Sequence, residues 1–398
     1  MDSAYDISRI GAACTGCTAC ASECPVNAIH MERDAEGFSY PQIVEGACIA
    51  CGKCLKICPV AHPREAHSIA VMYAVFARDD KLRGGSSSGG VFAACARYVI
   101  ASGGVAVGAS IDASGHVAHR IIDTVDELPS LQKSKYVQSD TEGIYHAVKS
   151  KLDQGMRVLF SGCPCQVAGL LAYVGEDREN LITMDLICHG VPSPGVWEDH
   201  VYSITGGTPV SSISFRRKDA TARTTYSIDI DARGIRYRGR DEFDDPYMAL
   251  FVTGSANRES CYSCAYARRE RVGDITIGDC ASSNCYPEFY PWLQLSSVSP
   301  NTSKGALFWD EVSSLFETMP IDADRETRLN AQLSHPTSRP ALRGDVYRKI
   351  ATEGIAEAAA PITPRRTFKI RLKRVAKTLV PNAVRGRLIG LRARLHGR

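Results

Sequence analysis

The sequence predicts two units of different architecture: a small α+β module built on a duplication, followed by a larger α/β domain with a mixed sheet. Three observations predict this. Eight of the sixteen cysteines fall within the first 58 residues, in two copies of one spacing. Between the copies, Ala28 to Met31 and Phe38 to Val44 flank Asp34-Ala35-Glu36-Gly37, which reads as a hairpin. After His62-Pro63, apolar runs of strand length alternate with helical patterns. At 398 residues the chain is long enough for two or three domains, each with its own core.

The duplication is explicit. Cys14, Cys17, Cys20 and Cys24-Pro25 have the spacing C-x2-C-x2-C-x3-C-P, and Cys48, Cys51, Cys54 and Cys58-Pro59 repeat it 34 residues later. Val26 and Val60 repeat as well. This is the spacing of a ferredoxin-like dicluster module with two 4Fe-4S clusters. Three closely spaced thiolates wrap three irons of one cubane, and the fourth cysteine points away to the other. The expected ligand sets are therefore Cys14, Cys17, Cys20 with Cys58, and Cys48, Cys51, Cys54 with Cys24. A zinc site would draw paired ligands from separate knuckles and does not account for eight cysteines in duplicated register. A disulfide scaffold would be shorter and cysteine-dense throughout.

In the body, Val71 to Ala77 reads as a strand. A loop, Arg83-Gly84-Gly85-Ser86-Ser87-Ser88-Gly89-Gly90, then feeds a helix from Val91 to Ser102 with Cys95 in its core. Gly104 to Ile111 is a second strand. Thr141 to Gln154 reads as a helix, Arg157 to Phe160 as a strand, Gln166 to Tyr173 as a helix and Leu181 to Ile187 as a strand. The Gly/Ser loop stands before a helix, where backbone N–H groups bind phosphate well. It matches neither nucleotide-binding glycine fingerprint, and a plain flexible connector has the same composition. Cys165 and Cys188 follow two strands. If those are parallel neighbours, both thiols lie at the carboxyl edge of one sheet, where α/β proteins place their sites. With the C-x2-C pair Cys261 and Cys264 they make four thiolates able to hold a third 4Fe-4S cluster. Buried structural thiols, zinc or a redox dithiol are the simpler readings of such cysteines. Cys163, Cys280 and Cys285 are spare thiols near this site.

The segments GGSSSGGVF (Gly84 to Phe92), SKYVQS (Ser134 to Ser139), FSGCPCQ (Phe160 to Gln166), DLICHGVPSP (Asp185 to Pro194), FRRK (Phe215 to Lys218) and CYSCAYARRERVGDITIGD (Cys261 to Asp279) resemble the coenzyme F(420) hydrogenase/dehydrogenase beta-subunit family. The resemblance runs from about residue 1 to 310. It implies an iron–sulfur flavoprotein oxidoreductase passing electrons between 4Fe-4S clusters and a flavin (FAD or another) or deazaflavin, with a redox partner protein as donor or acceptor. The family includes subunits acting on F(420), plant chlorophyll-pathway reductases and bacterial proteins encoded among polysaccharide-synthesis genes. The fused dicluster module and basic tail place this chain nearest the last group. Two departures stand out: Cys163 where the family usually has Thr, and Cys280-Ala281 where it tends to have an aromatic pair. The second unit is thus expected to be a flavin/iron-sulfur domain. Gly85, Ser86, Ser87 and Ser88 are candidate phosphate contacts, Ser134 and Lys135 supply polarity and charge, and His189 is a candidate proton donor. The rival reading is an electron-carrier subunit without substrate chemistry. The expected organisation is a dicluster module over 1–65, a region like the N-terminal part of the family's chains over 70–150, one like their C-terminal part over 151–320 and a helical extension over 321–398.

Charge is divided unevenly. Residues 361–398 carry twelve Lys and Arg and no acid, so the formal net charge of +3 splits into +12 there and −9 over residues 1–360. No signal peptide or membrane span is visible, and a reducing cytoplasm suits thiolates kept for metal. No feature points to nucleic acid. Phe368, Leu372, Val375 and Leu379 share one helical face. After Pro381, Val384, Leu388, Leu391 and Leu395 repeat the pattern, with basic residues alongside both. Two basic amphipathic helices of this kind suit peripheral contact with the inner face of an anionic membrane. A solvated tail or one docked on an acidic surface fits the same pattern. Liposome co-sedimentation decides: full-length protein is expected to pellet with anionic vesicles at low salt while a chain ending at Ala360 stays in solution. Equal partitioning removes the anchor.

Overall fold

The structure, a computed structural model, describes residues 6–175, 178–218, 224–286 and 295–363. In the N-terminal module each cysteine run leads into one helical turn, Ala19–Glu23 and Lys53–Ile57, entered through the left-handed residues Thr18 and Gly52. Between them β1 (Ile29–Arg33) and β2 (Ser39–Ile43) pair antiparallel, Ile29 opposite Ile43. Asp34 closes their turn, its carboxylate accepting from the N–H groups of Glu36 and Phe38, as Asp does in tight turns.

The body follows from β3 (His67–Ser68) onward. β4 (Met72–Ala77), β5 (Val105–Ile111), β6 (Val117–Ile122), β7 (Val158–Gly162) and β8 (Leu181–Leu186) enter one large sheet. β9 (Val210–Lys218), β10 (Thr224–Ala232) and β11 (Ile235–Arg238) form a separate antiparallel sheet, which the sequence did not suggest. β12 (Glu270–Arg271) pairs with β3. β13 (Ile275–Asp279), β14 (Ser296–Pro300) and β15 (Phe316–Ile321) complete the large sheet in the order β15-β4-β14-β13-β8-β7-β5-β6. Its centre, β13-β8-β7-β5, is parallel and its flanks antiparallel, so the sheet is mixed. The 70–150 and 151–320 stretches both supply strands to it.

β7 is buried at every position, as expected of a central strand covered on both faces. Alternate residues divide between two cores. Leu159, Ile182 and Met184 join the helix Val91–Ala101, whereas Val158, Phe160 and Leu181 join the helices Ile144–Asp153 and Pro164–Val174. Helix ends differ from expectation for local reasons. Ile144–Asp153 starts late because Gly143, in the left-handed region, ends a turn closed by the Asp140 carboxylate. Pro164–Val174 starts early because Cys163 caps it and Pro164 suits the first helical position.

The module is docked on the body. Cys17 and Ala19 are buried in the core of the Pro164–Val174 helix. Gly169 on that helix makes this possible: a Cβ there would meet Cys17 Cβ and Sγ at 3.1 Å. Phe38 is buried beside Trp197, Phe215 and Tyr347. The Arg343 guanidinium, itself buried, forks onto the Glu36 carboxylate at 2.8 and 2.5 Å. Arg343 lies on the helix Arg343–Glu353, which with Ala323–Leu329 and Ile355–Ala359 makes the described part of the extension. The two basic amphipathic helices expected beyond it lie outside the described residues. No helix among the described residues is long and apolar enough to cross a membrane. Because Glu36 is partly exposed, Arg343→Met is expected to cost about 2 kcal/mol, the scale of a charged hydrogen-bonded pair, read by urea unfolding. An unchanged midpoint would mean that apolar contacts alone hold the module.

Candidate electron-transfer site

Cys14, Cys17, Cys20 and Cys58 line one hollow, the first three thiols of one run with the last of the other. Thr15 shares it, its buried hydroxyl turned onto the Cys17 sulfur. A hydroxyl donating to sulfur among four converging thiols fits ligands kept as thiolates for a metal group. The thiols also receive backbone donors, Gly16 N–H to Cys14 and, at the equivalent place in the second run, Ala50 N–H to Cys48, each at 3.4 Å. Burial pushes Cys17 up to about 12 and also raises Cys20 and Cys58, a cost that metal ligation removes by taking the thiolate. Among the described residues no three His, Cys, Asp or Glu side chains converge as on a single ion. In a cubane each cysteine holds a different iron, so the ligands stand apart. Of the other four thiols Cys51 is exposed and Cys24, Cys48 and Cys54 are half-buried.

The second thiol group sits at the sheet edge. β7 and β8 are parallel neighbours, Gly162 opposite Asp185, so Cys163 and Cys165 leave one strand beside Cys188 leaving the other. The segment carrying Cys261 and Cys264 is brought over this edge by a bridge between Pro192 and Asn257 and by Arg258 N–H to Val191 O at 2.9 Å. Arg271 clamps it from below, with hydrogen bonds to Asp185 Oδ1 (3.0 Å), Leu186 O (2.8 Å) and Tyr266 O (3.0 Å). Asp185 is fully buried and also accepts from Thr276 Oγ1 and Gly273 N. The result is mutual influence among Cys165, Cys188, Cys261 and Cys264, and burial raises three of the four. Cys188 is instead lowered, chiefly by its hydrogen bond with the Cys163 thiol, 3.7 Å away. Cys17 of the module also acts on Cys165, so the inner hollow and the sheet-edge group adjoin.

From Cys188 a polar strip leads to the Gly/Ser loop. His189, lowered by burial, faces Asp279 and Arg216. Arg216 pairs with Asp279 at 2.9 Å and lies over the Tyr226 ring, and its Nε is buried without a partner. Lys218 reaches the loop, donating to Ser88 O (2.6 Å) and Arg83 O (2.9 Å), with burial bringing it down to about 8. Ser87 Oγ accepts from Ser134 N–H at 2.6 Å, which joins two of the sequence candidates. Lys135 is turned inward, donating to Gln132 O (2.7 Å) and Ser130 O (3.1 Å), and burial brings it down to about 7. Ser86 and Ser88 donate to Leu82 O and Leu295 O. Gly85 stands against the Gln132 side chain. An orphaned guanidinium N–H beside a second cation and aromatic rings fits an anionic, ring-bearing ligand.

Residues 155–323 match the model for the C terminus of the coenzyme F(420) hydrogenase/dehydrogenase beta chain, and residues 13–62 match the 4Fe-4S dicluster domain. Residues 155–323 belong to that beta-chain family. The protein joins an iron–sulfur electron-transfer module to a region related to the C terminus of an oxidoreductase beta chain. The F component of the F(420)H(2) dehydrogenase of Methanosarcina mazei is 22% identical over 190 residues, 44% of this chain and 53% of that protein. The chain therefore spans about half the length of the curated relative it matches. A chain from a xenon derivatisation of the F(420)-reducing NiFe hydrogenase complex of Methanosarcina barkeri is 17% identical, with a TM-score of 0.44, covering 74% of this chain and 92% of that one.

Within the region of family resemblance Cys163 has a structural explanation. It is the N-cap of the Pro164–Val174 helix, in a reciprocal box with Gln166, whose Oε1 accepts from Cys163 N–H at 3.0 Å. That is the usual work of Ser or Thr. Cys280 turns elsewhere, packing with Ile69 and Met72 and lying 3.6 Å from Ser282 Oγ, and it interacts with Cys285 rather than with the sheet-edge thiols. Cys95 is buried in the core, as expected. Sequence reasoning missed Thr15, Asp185, Arg271, Arg216, Lys218 and Asp279. All but Thr15 fall in the segments that carry the family resemblance, DLICHGVPSP, FRRK and the run ending at Asp279; no pattern of their own assigned them work. Breaking the buried pair by Asp185→Ala is expected to cost about 3–5 kcal/mol in urea unfolding, since it strands the Arg271 charge. A loss below about 1 kcal/mol, the scale of a surface pair, would show that water reaches it.

Proposed function

We propose that this chain is an electron-transferring oxidoreductase subunit in which three thiol groups stand in line from the outer face of the module to a flavin at the sheet edge. Cys48, Cys51, Cys54 and Cys24 form the outer group and Cys14, Cys17, Cys20 and Cys58 the inner. Cys165, Cys188, Cys261 and Cys264 form the third. The observation that carries the reading is the seating of Cys17 on Gly169, four residues along the helix from Cys165. Iron–sulfur clusters on these thiolates supply one-electron transfer, and a flavin supplies the exchange between single electrons and pairs.

The chain's own residues have separable tasks. Exposed Cys51 marks the face where a redox partner protein docks. Tyr145 and Tyr266, both buried, interact with Cys17 and Cys165 and keep water from the space between the inner and third groups. Arg216, Lys218 and the Ser87–Ser134 pair hold the anionic part of the flavin, with Lys135 behind them and Gly85, Ser86 and Ser88 shaping the loop. His189, neutral near pH 7 because burial lowers it, exchanges a proton beside Asp279. The named relative's chemistry makes a deazaflavin such as F(420) one candidate for the far side of the exchange. Service in polysaccharide biosynthesis, like membrane contact through the tail, rests on the sequence resemblance and pattern alone.

A second reading is favoured by one observation: the Ser86 and Ser88 hydroxyls and the Lys135 ammonium are satisfied by the protein's own carbonyls. It is a carrier with clusters and no flavin. Protein purified anaerobically separates the two. About twelve irons and one flavin per chain are expected from three cubanes and the preferred reading. About eight irons would remove the third cluster, and twelve without flavin would leave the carrier.

A further inference from the structure

The buried arginines of this fold divide into two kinds. Arg271, Arg343 and Arg216 each face a carboxylate, on Asp185, Glu36 and Asp279. Arg258 is fully buried, and its partners are uncharged. Nε donates to Cys14 O at 2.7 Å, Nη2 to Ser39 O at 3.0 Å and Nη1 to Gln138 Oε1 at 3.2 Å. Its Cζ lies 4.1 Å from the Tyr40 ring centroid and 5.4 Å from that of Phe38. A guanidinium does not give up its proton in a protein, and a buried charge is costly unless an opposite charge answers it.

That opposite charge has an address. Arg258 is bonded to the main chain of Cys14 and lies in the electrostatic field of Cys261, so it stands between the inner hollow and the sheet-edge thiols. Gly16 keeps the first cysteine loop against it: its φ is +67°, and a Cβ there would meet Arg258 Nη1 at 3.0 Å and Gln138 Nε2 at 2.6 Å. Four thiolates around a cubane leave a net negative group, and adding one electron, without making or breaking a bond, makes it more negative. A fixed cation alongside favours the reduced form, since charge near a cluster is one of the levers on its potential.

We propose that Arg258 is the shared counter-charge of the iron–sulfur groups held at Cys14 and at Cys261, a positioning residue that raises their reduction potentials so that electrons settle on the inner side of the module. This rests on the reading of the thiol groups as cluster sites. The test is an anaerobic redox titration of the full chain with dithionite, followed by electron paramagnetic resonance, with iron counted in each sample. Arg258→Gln is expected to keep its iron while at least one cluster takes up its electron about tenfold less readily, a shift of about 59 mV to lower potential for one electron. Arg258→Lys is expected to restore most of that shift. Arg343→Met, which loosens the same module without removing this charge, is expected to leave the potentials in place. Full iron with unchanged potentials in Arg258→Gln overturns the proposal, as does an equal shift in Arg343→Met, which would trace the effect to docking. If Arg258→Gln does not load iron, Gln138→Glu neutralises the same guanidinium through an existing contact. It is then expected to lower the potential, and no change there also overturns the proposal. Wild type without iron would instead defeat the cluster reading itself.

Discussion

The parallel pairing of β7 with β8 is the constraint on which the rest of the structure depends. Two strands in register end together, and the residues after them must share one edge. Cys163 and Cys165 therefore meet Cys188 with no long-range device beyond the ladder itself. The pairing also fixes where the next helix starts, and that helix is the floor on which the first cysteine loop rests. A shift of register by one residue would invert every side chain on β8 and take Asp185 away from Arg271.

Around this edge the fold places charges with care for desolvation. Asp185, Arg271 and Thr276 form a closed set in which each buried polar group finds partners, the condition under which a buried ion pair is tolerated. The strip toward the Gly/Ser loop is left less complete, with Arg216 Nε unmet. Groups of the first kind hold a shape, and groups of the second kind are available to a ligand. The division follows the sheet: the closed network lies between β8, β12 and β13, and the open strip lies where their ends meet β9.

Local pattern explains what could be read from the sequence. The two cysteine runs are legible because their ligand spacing is a property of a few consecutive residues, and the same holds for the hairpin at Asp34. The parallel edge was within reach because β7 and β8 are short, apolar and separated by a helical stretch. The sheet of β9 to β11 escaped because its strands, such as VSSISFRRK, mix polar and apolar residues without a buried run. The docking contacts escaped for a different reason. Arg258 meets Cys14 across 244 positions and Arg343 meets Glu36 across 307, and neither arginine differs locally from any solvated one.

Those separations bear on how the molecule is made. The module is made before the body, yet the residues that cover it are spread from the helix Pro164–Val174 through Arg258 to the helix Arg343–Glu353. Until these are made Phe38 has no Tyr347 to lie against, and the loop around Gly16 has no guanidinium to close on. Contacts so distant in sequence form late and slowly, while domains made first fold first. The nascent module must therefore hold its cysteine loops in order with its apolar flanks bare until first the helix Pro164–Val174, then Arg258 and last the helix Arg343–Glu353 arrive to cover it.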